Sequence, residues 1–255
     1  MRLVIWGAGE LGGRVGAAWA KDGMPVLGLT RSTERHNDLR SRGITPLVGG
    51  APGLLTSEDA LLLALPGSAS QHTAITALAN TPPPARAVLI SSTGYYGSPH
   101  GRVDEDTPCG GDAHAAVVKA AELAFRAWAG ARGVVLRLGG LYRRGRGPLT
   151  ALLRRGTAPA GPPDKTLALV HYDDAATATL AVLRHASPEP TYVVVVPPCP
   201  TRREFYLHAC RVAELPEPPF DAPLGLPPAD YNVTRLRRDL LPVPAHADWY
   251  DALLQ

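Results

Sequence analysis

The sequence predicts an α/β protein built on a parallel, doubly wound sheet. From Leu3 to Leu138, short apolar runs alternate with longer segments of helical periodicity, which is the pattern of successive βαβ units. A glycine-rich turn directly follows the first apolar run. The run Ala60–Leu65 is continuously apolar, as expected for a strand buried on both faces. A chain of 255 residues is long enough to bury one such core.

Each predicted strand is a short apolar or β-branched run, and each predicted helix has helical spacing of its apolar residues. The predicted strands are Leu3–Trp6, Pro25–Leu29, Ile44–Val48, Ala60–Leu65, Ala87–Ser91, Val134–Leu138, Leu167–Val170 and Tyr192–Val196. The predicted helices are Leu11–Ala20, Ala113–Ala129, Leu149–Arg154, Asp174–His185 and Arg203–Ala213. Pro82–Pro84 force a loop before the fifth strand, because proline has no backbone N–H to donate.

Two parts of the chain differ in composition. Residues 1–196 form the predicted Rossmann-type sheet, with the loop 139–165, rich in Arg, Gly and Pro, contributing to a substrate cleft. Proline is dense in residues 197–255, which we predict to form a small C-terminal substrate cap. About 60 residues make a marginal core on their own, so this cap is not expected to fold independently.

The composition is that of a globular chain, with 45% apolar and 19% charged residues, which excludes wholesale disorder. No stretch approaches the ~18–20 apolar residues of a membrane span, and no secretory signal is recognisable. The three cysteines, Cys109, Cys199 and Cys210, lie far apart and form no CxxC pair. We therefore expect a cytoplasmic protein without a disulfide framework or a bound metal.

The net charge of +3 does not indicate a nucleic-acid partner. Only Lys21, Lys119 and Lys165 of the 26 basic residues are lysine, a skew typical of a GC-rich genome. The arginines are also spread along the chain and do not form one helical stripe. A small-molecule ligand is the expected partner.

The segment Gly7-Ala8-Gly9-Glu10-Leu11-Gly12 is a GxGxxG motif between the first strand and the first helix. Gly7 permits the tight turn, Gly9 lets the backbone approach a pyrophosphate, and Gly12 allows close helix–strand packing. The diphosphate of a dinucleotide would lie on the free N–H groups of the helix, next to Glu10 and Leu11. The alternative is a packing turn without a ligand.

The end of the second strand favours NADP(H) over NAD(H). An NAD-selective site usually places an acidic residue there, about 20 residues after the glycines, to hold the ribose hydroxyls. This sequence has Thr30-Arg31-Ser32, followed by Arg35. A guanidinium with two hydroxyls would accept a 2′-phosphate. The alternative is that Arg31 and Arg35 are ordinary solvated charges, with NAD(H) as the cofactor.

Four ordered motifs after the glycine turn resemble the extended short-chain dehydrogenases/reductases, the epimerase/dehydratase branch. They are Ser91–Gly97, Glu105–Pro108, Leu136–Tyr142 and Val170–Asp174, and with the glycine turn the resemblance covers residues 2–196. The closest resemblance is to small, atypical bacterial members of this superfamily. It implies a Rossmann fold, a nicotinamide cofactor, and catalysis by Ser, Tyr and Lys.

The resemblance places Ser92 at the catalytic serine position and Lys119 at the lysine position, where it would also contact the cofactor ribose. The tyrosine position holds Ala115. Three interpretations remain open. Another acid replaces the tyrosine, the candidates being Tyr95, Tyr96 and His114, although His114 points about 100° around the helix from Ala115. A substrate group or water supplies the proton. Or catalysis is lost, and the protein senses or scaffolds.

Further candidate residues follow from departures and matches within the same motifs. Leu65 and Pro66, at the end of the fourth strand, would offer backbone groups to the cofactor. Arg143 and Arg146, in the loop Arg143-Arg144-Gly145-Arg146-Gly147, would receive an anionic substrate. His171 would line the same crevice, and Tyr96 would lie under the substrate or cofactor. Solvated or packed side chains are the alternative for each.

These observations predict an NADP(H)-dependent oxidoreductase acting on a small carbonyl or alcohol. The alternatives are an inactive NAD(P)-binding sensor or scaffold, and an epimerase or dehydratase that retains its cofactor. A homodimer paired through the Ala-rich helix Ala113–Ala129 is an expectation from family analogy alone.

Overall fold

The computed structural model describes residues 1–157 and 161–250. Its strands are β1 Leu3–Trp6, β2 Val26–Thr30, β3 Thr45–Val48, β4 Ala60–Leu63, β5 Arg86–Ser92, β6 Gly101–Val103, β7 Gly133–Leu138, β8 Gly140–Tyr142, β9 Leu169–His171, β10 Thr191–Val194 and β11 Ala229–Tyr231. Its α-helices are α1 Glu10–Lys21, α2 His36–Ser41, α3 Ser68–Ala77, α4 Ala113–Ala129, α5 Pro148–Arg155, α6 Tyr172–Arg184, α7 Arg202–Val212 and α8 Thr234–Asp239.

Seven strands form one parallel sheet in the order β3-β2-β1-β4-β5-β7-β10. Leu3 of β1 is in register with Val26 on one side and with Ala60 on the other. The chain runs outward from β1 to β3 and then returns to place β4 on the other side of β1. In open α/β sheets, ligands bind at the carboxyl end of the strands, where the strand order reverses in this way.

Helices cover both faces of the sheet, so the predicted doubly wound α/β fold is confirmed. Helices α1 and α6 pack together on one face, and α3 and α4 pack together on the other. Trp19 belongs to the first apolar layer, and Phe125 belongs to the second. Because both faces are covered, every residue of β4, β7 and β10 is buried.

Two short parallel pairs lie outside the main sheet, β6 with β11 and β8 with β9. The predicted strand Leu167–Val170 therefore corresponds to β9, which pairs with β8 and not with the main sheet. The C-terminal residues divide between two cores. Phe205 of α7 packs with α5, whereas Tyr231 and Leu236 join the apolar layer of α1 and α6. Among the described residues, no helix is long and apolar enough to cross a membrane.

Candidate functional site

A long cleft follows the carboxyl ends of the central strands. One part, of about 480 Å³, extends from the glycine turn to the ends of β5 and β7, and we call it the β5 chamber. The other part, of about 280 Å³, extends from the same turn to the end of β2, and we call it the β2 chamber. Both chambers are lined by Gly7, Gly9, Ala64, Leu65 and Pro66. The glycine turn therefore joins two chambers that lie on opposite sides of it.

Each glycine of the turn lacks a side chain for a different physical reason. Gly7 has φ +99°, and a Cβ there would lie 2.6 Å from the carbonyl oxygen of Ala64. A Cβ on Gly12 would lie 2.7 Å from the carbonyl oxygen of Gly7, so helix α1 also packs too closely for a side chain. A Cβ on Gly9 would meet only that oxygen, at 3.9 Å, and Gly9 lines both chambers. Its missing side chain keeps the backbone open to the cleft, which fits a bound diphosphate.

Helix α1 begins at Glu10, directly after Gly9, and Gly9 supplies no side-chain cap. The first N–H groups of an α-helix have no intrahelical acceptor, and they form the positive end of the helix dipole. Glu10, Leu11 and Gly12 of this first turn line the β5 chamber. The predicted contact residues of the glycine turn are therefore brought together at one wall of the cleft.

The β2 chamber contains the predicted group at the end of β2. Thr30, Arg31, Ser32 and Arg35 all line it. Arg35 donates to Asp38 at 3.0 Å, and Asp38 is also paired with Arg42, so the two guanidinium groups share one carboxylate. Arg31 is exposed and has no hydrogen bond or ion pair among the described residues. Its guanidinium is thus available to an anion in this chamber.

His36 supports the wall of this chamber from behind without lining it, a role that the sequence does not indicate. Its side chain is buried, and its Nε2 lies 2.8 Å from Thr30 Oγ1. Thr30 Oγ1 also donates to the carbonyl oxygen of Ser32 at 2.9 Å. The two contacts fix the turn that presents Arg31. The sequence shows only that His36 follows Ser32 by four residues. Its burial has no signature in the sequence, and α2 is too short to be recognised.

The β5 chamber brings Ser92 and His114 together. Ser92 Oγ accepts a hydrogen bond from the Gly94 N–H at 3.0 Å. A Cβ on Gly94 would lie 2.6 Å from His114 Nε2 and 3.3 Å from Ser92 Oγ. The imidazole therefore lies against the Cβ-free face of Gly94, beside the serine. Both side chains line the chamber, together with Ser91 and Leu138.

The structure places Tyr95 and Lys119 apart from this pair. The Tyr95 ring faces the Arg137 guanidinium, whose carbon lies 3.4 Å from the ring centroid. Lys119 is exposed on α4, while Ala115 is completely buried. Neither Tyr95 nor Lys119 belongs to the described lining of the two chambers. Their catalytic and cofactor roles stay predictions.

Tyr96 is buried beneath the cleft and is held by two hydrogen bonds. Its hydroxyl donates to the carbonyl oxygen of Asp104 at 2.8 Å and accepts from Arg137 Nη1 at 2.9 Å. Burial raises the pKa of Tyr96 well above its usual range, despite the neighbouring guanidinium. These contacts indicate a packing role for Tyr96. Its predicted contact with substrate remains untested.

A buried ion pair that was not predicted supports the end of β5. Arg137 Nη2 lies 2.9 Å from Glu122 Oε2, and both side chains are at most 5% exposed. Ser91 Oγ donates to Glu122 Oε1 at 2.6 Å. The pair connects β5, β7 and α4. Glu122 is a lone acidic residue on the apolar face of α4, a pattern that could have indicated a buried partner.

Gln71 is another residue of the wall that the sequence analysis does not predict. Its side-chain amide donates to the carbonyl oxygens of Leu65 at 2.9 Å and Ile90 at 2.7 Å. It also lines the β5 chamber. The amide thereby closes the gap between the ends of β4 and β5, which determines where Leu65 and Pro66 meet the cleft.

The two arginines of the predicted substrate loop have different environments. Arg143 Nε lies 3.1 Å from Glu10 Oε1, and Glu10 also pairs with Arg14. Arg146 lines the β5 chamber, and its guanidinium lies 5.8 Å from the Tyr172 ring centroid. Arg146 has no ion pair among the described residues. Of the two, Arg146 is the arginine that presents an uncompensated charge to the cleft.

His171 lies next to the cleft but outside its described lining. Its Nδ1 accepts a hydrogen bond from the Asp173 N–H at 3.1 Å, which caps α6. Its ring lies against that of His246, with 3.6 Å between the centroids and 32° between the ring planes. Burial, and secondarily the neighbouring His246, lowers the pKa of His171. The predicted substrate contact of His171 stays a prediction.

The two adjacent histidines also belong to a group of possible metal ligands. One ligand atom each of His171, Asp173 and His246 lie within 4.8 Å of one another. However, His171 Nδ1 already accepts the Asp173 N–H, and Asp173 is paired with Arg14 at 3.1 Å. A metal held by His171 Nδ1 would have to displace the Asp173 N–H that caps α6, whereas the Asp173 oxygen nearest the two imidazoles, Oδ2, is not the oxygen that pairs with Arg14.

The cleft and the seven-stranded parallel sheet define a Rossmann-type α/β protein. The chain is similar in structure to a conserved protein of unknown function from Silicibacter pomeroyi, with 24% identity, a TM-score of 0.74, and 99% of this chain and 98% of that chain covered. It is also similar to UDP-glucuronic acid 4-epimerase from Bacillus cereus in complex with NAD, with 15% identity and a TM-score of 0.75. This match covers 99% of this chain and 95% of that chain.

A third similar structure is the human epimerase family protein SDR39U1 with NADPH, with 19% identity, a TM-score of 0.71, and 99% of this chain and 98% of that chain covered. At these sequence identities, the similarity to the three solved structures shows the fold alone. It is the fold that the resemblance to extended short-chain dehydrogenases/reductases implies, and that expectation is confirmed. No family model matches the sequence, and no curated protein matches it.

Proposed function

We propose that the protein binds NADP(H) along the cleft and is an oxidoreductase acting on a small carbonyl or alcohol. The observation that carries this proposal is the pair of chambers joined at Gly9. A dinucleotide has two nucleoside halves linked by a diphosphate, and the diphosphate would lie on the open backbone of Gly9 and the first turn of α1.

The adenosine half belongs in the β2 chamber. Arg31, which has no ion pair there among the described residues, would bind a 2′-phosphate, and Ser32 would add a hydroxyl. The solved neighbours include one described with NADPH and one with NAD, so the fold itself accommodates both cofactors. The preference for NADP(H) rests on the residues at the end of β2.

The nicotinamide half belongs in the β5 chamber, beside Ser92. Because Ser92 Oγ accepts the Gly94 N–H, its own proton is free to be donated to a substrate oxygen. Arg146 would bind an anionic group of the substrate. When bound, the reduced nicotinamide supplies a hydride to an acceptor carbon in this chamber.

The test is a calorimetric titration of the purified protein with NADPH and with NADH. We expect NADPH to bind at least about tenfold more tightly, and Arg31→Ala to abolish most of that difference. Arg40→Ala is the matched control, because Arg40 lies on α2 outside the lining of both chambers. Equal affinities for the two cofactors would contradict the NADP(H) assignment, and no binding of either would contradict the proposal as a whole.

A second candidate function is a catalytically inactive NAD(P)-binding sensor or scaffold. The observation that favours it is that the family tyrosine position holds Ala115, which is completely buried and has no proton to donate. An epimerase or dehydratase with a retained cofactor is a third candidate. Protein purified with a nicotinamide cofactor already bound would favour this last function, and apo protein would count against it.

A further inference from the structure

His114 is the histidine that the described part of the cleft presents to the proposed nicotinamide half. It lies at the second position of α4, after the N-cap Asp112, whose carboxylate accepts the Ala115 N–H at 2.8 Å. Ala115 is thereby turned into the protein interior, and His114, about 100° away on the helix, is turned to the chamber. Lys119 follows about 140° from His114. Both side chains are exposed, but of the two only His114 belongs to the described lining of the chamber.

The surroundings of His114 leave its ring nitrogens free. The imidazole has no hydrogen bond among the described residues, and Ser92 is beside it across Gly94. Two charged groups, Glu10 and Arg146, line the same chamber, and Glu10 is paired with Arg14 and Arg143. Tyr172 also lines the chamber. Just before α4, Asp112 is engaged as the N-cap, and Cys109 Sγ donates to the Ala115 carbonyl oxygen at 3.5 Å.

We propose that His114 is the acid–base residue of this site and acts with Ser92 in place of the missing tyrosine. This inference rests on the proposed function. Histidine is suited to the role because its imidazole exchanges a proton near neutral pH. Ser92 would orient the substrate oxygen, and His114 would exchange a proton with that oxygen through Nε2.

The proposed reaction is the reduction of a carbonyl to an alcohol. The C–H bond of the reduced nicotinamide breaks, and its hydrogen and electron pair form the new C–H bond of the alcohol. The C=O π bond breaks, and its electron pair accepts the proton from Nε2–H of the His114 imidazolium. The carbonyl is reduced, the nicotinamide is oxidised, and the neutral imidazole regains a proton from solvent. Oxidation of the alcohol reverses each transfer.

The first test needs no substrate. Oxidised nicotinamide is a cation and reduced nicotinamide is neutral, so a protonated His114 beside the ring would disfavour NADP⁺ selectively. The ratio of the Kd for NADP⁺ to the Kd for NADPH should rise roughly tenfold between about pH 8 and pH 5.5. Taking the ratio cancels the titration of the 2′-phosphate, which both forms carry. His114→Gln should flatten the ratio, and His72→Gln, exposed on α3, should not.

The outcomes separate the two proposals. If wild type binds neither form, the proposed function fails, and this inference fails with it. If both forms bind and the ratio is independent of pH, or rises equally in His114→Gln, the inference alone is overturned. If the His114→Gln protein does not fold, the wild-type histidines are titrated by NMR instead. NADP⁺ must then move the midpoint of the His114 titration to lower pH, and NADPH must not.

A second readout is turnover of small anionic aldehydes and ketones with NADPH. We expect His114→Gln to lower kcat by about 100-fold or more while the Kd for NADPH at pH 8 is unchanged. His72→Gln should retain wild-type kcat. A wild type that binds NADPH and reduces no member of the panel, or a His114→Gln variant with full kcat, overturns the assignment of His114 as the acid.

Discussion

Arg31, Arg35 and Arg143 show how the same side chain acquires different properties from its nearest partner. Asp38 pairs with Arg35, and Glu10 pairs with Arg143, although each carboxylate is shared with a second arginine. Arg31 has no such partner among the described residues. The sequence predicts all three as candidate anion contacts because they share a residue type and a place near a strand end. Only the folded environment shows which charge is available.

At the residue scale we predict that His171 makes the protein sensitive to mild acid. Burial lowers the pKa of His171 in the folded state, so the unfolded chain binds a proton more readily. The free energy of unfolding should therefore fall as the pH drops below the ordinary pKa of histidine, about 6.5. His171→Asn retains an acceptor for the Asp173 N–H and should reduce this loss.

Urea unfolding of both proteins at a series of pH values measures the effect. His185→Asn is the control, because His185 Nδ1 accepts a similar bond from the Ser187 N–H at 3.2 Å but lies outside the His171–His246 pair. A wild type with the same pH dependence as His171→Asn would show that the buried imidazole is not the titrating group.

Single residues of the site could be predicted from the sequence only where their place in the fold also determines where their side chains lie. Thr30, Arg31 and Arg35 could be placed because a strand end fixes where they lie. The orientation of His114 could not, because it depends on the rotation of α4, which follows from the Asp112 cap and the burial of Ala115. The partnership of Glu122 with Arg137 joins residues on different elements and has no local signature.

At the scale of single elements, the turn between β1 and α1 combines a structural and a ligand-binding requirement. Gly7 and Gly12 are needed by the packing of the protein itself, since a Cβ on either would collide with backbone. Gly9 has space around it and faces both chambers. The two requirements should therefore be separable by substitution.

We predict that Gly9→Ala folds with nearly unchanged stability, yet binds NADPH at least about tenfold more weakly, because its methyl group would occupy the space of the diphosphate. Gly7→Ala should lower the free energy of unfolding by roughly 2 kcal/mol or more, because it combines a positive φ with a backbone collision. Thermal denaturation and calorimetric titration of both variants provide the measurements. Unchanged NADPH affinity in Gly9→Ala would contradict a diphosphate at this turn.

The elements themselves were predictable in proportion to the length of their pattern. The seven strands of the main sheet were predicted to within about two residues at either end. The strands β6, β8 and β11 have three residues each and were not recognised, whereas β9, of the same length, overlaps the longer apolar run Leu167–Val170. Helix α3 lacks helical spacing of apolar residues, and packing against α4 determines it.

At the scale of the whole molecule, the pair Glu122–Arg137 connects the sheet to the helical layer on one of its faces. We predict that Glu122→Ala lowers the free energy of unfolding by about 3–5 kcal/mol, because an uncompensated guanidinium would remain buried. The double variant Glu122→Leu/Arg137→Met should recover much of that loss, since it removes both charges. Equilibrium unfolding in urea compares the three proteins. An Ala variant as stable as wild type would show that the pair is dispensable.

Each wall of the cleft comes from a different βα unit: the glycine turn after β1, the ends of β4 and β5, and the loop after β7. A molecule that fills both chambers therefore bridges parts of the chain that separate on unfolding. Such a ligand at a hundred times its Kd adds about 2.7 kcal/mol to the free energy of unfolding. The melting temperature is thus a general reporter of occupancy, and a library of metabolites can be screened by heat before any reaction is assayed.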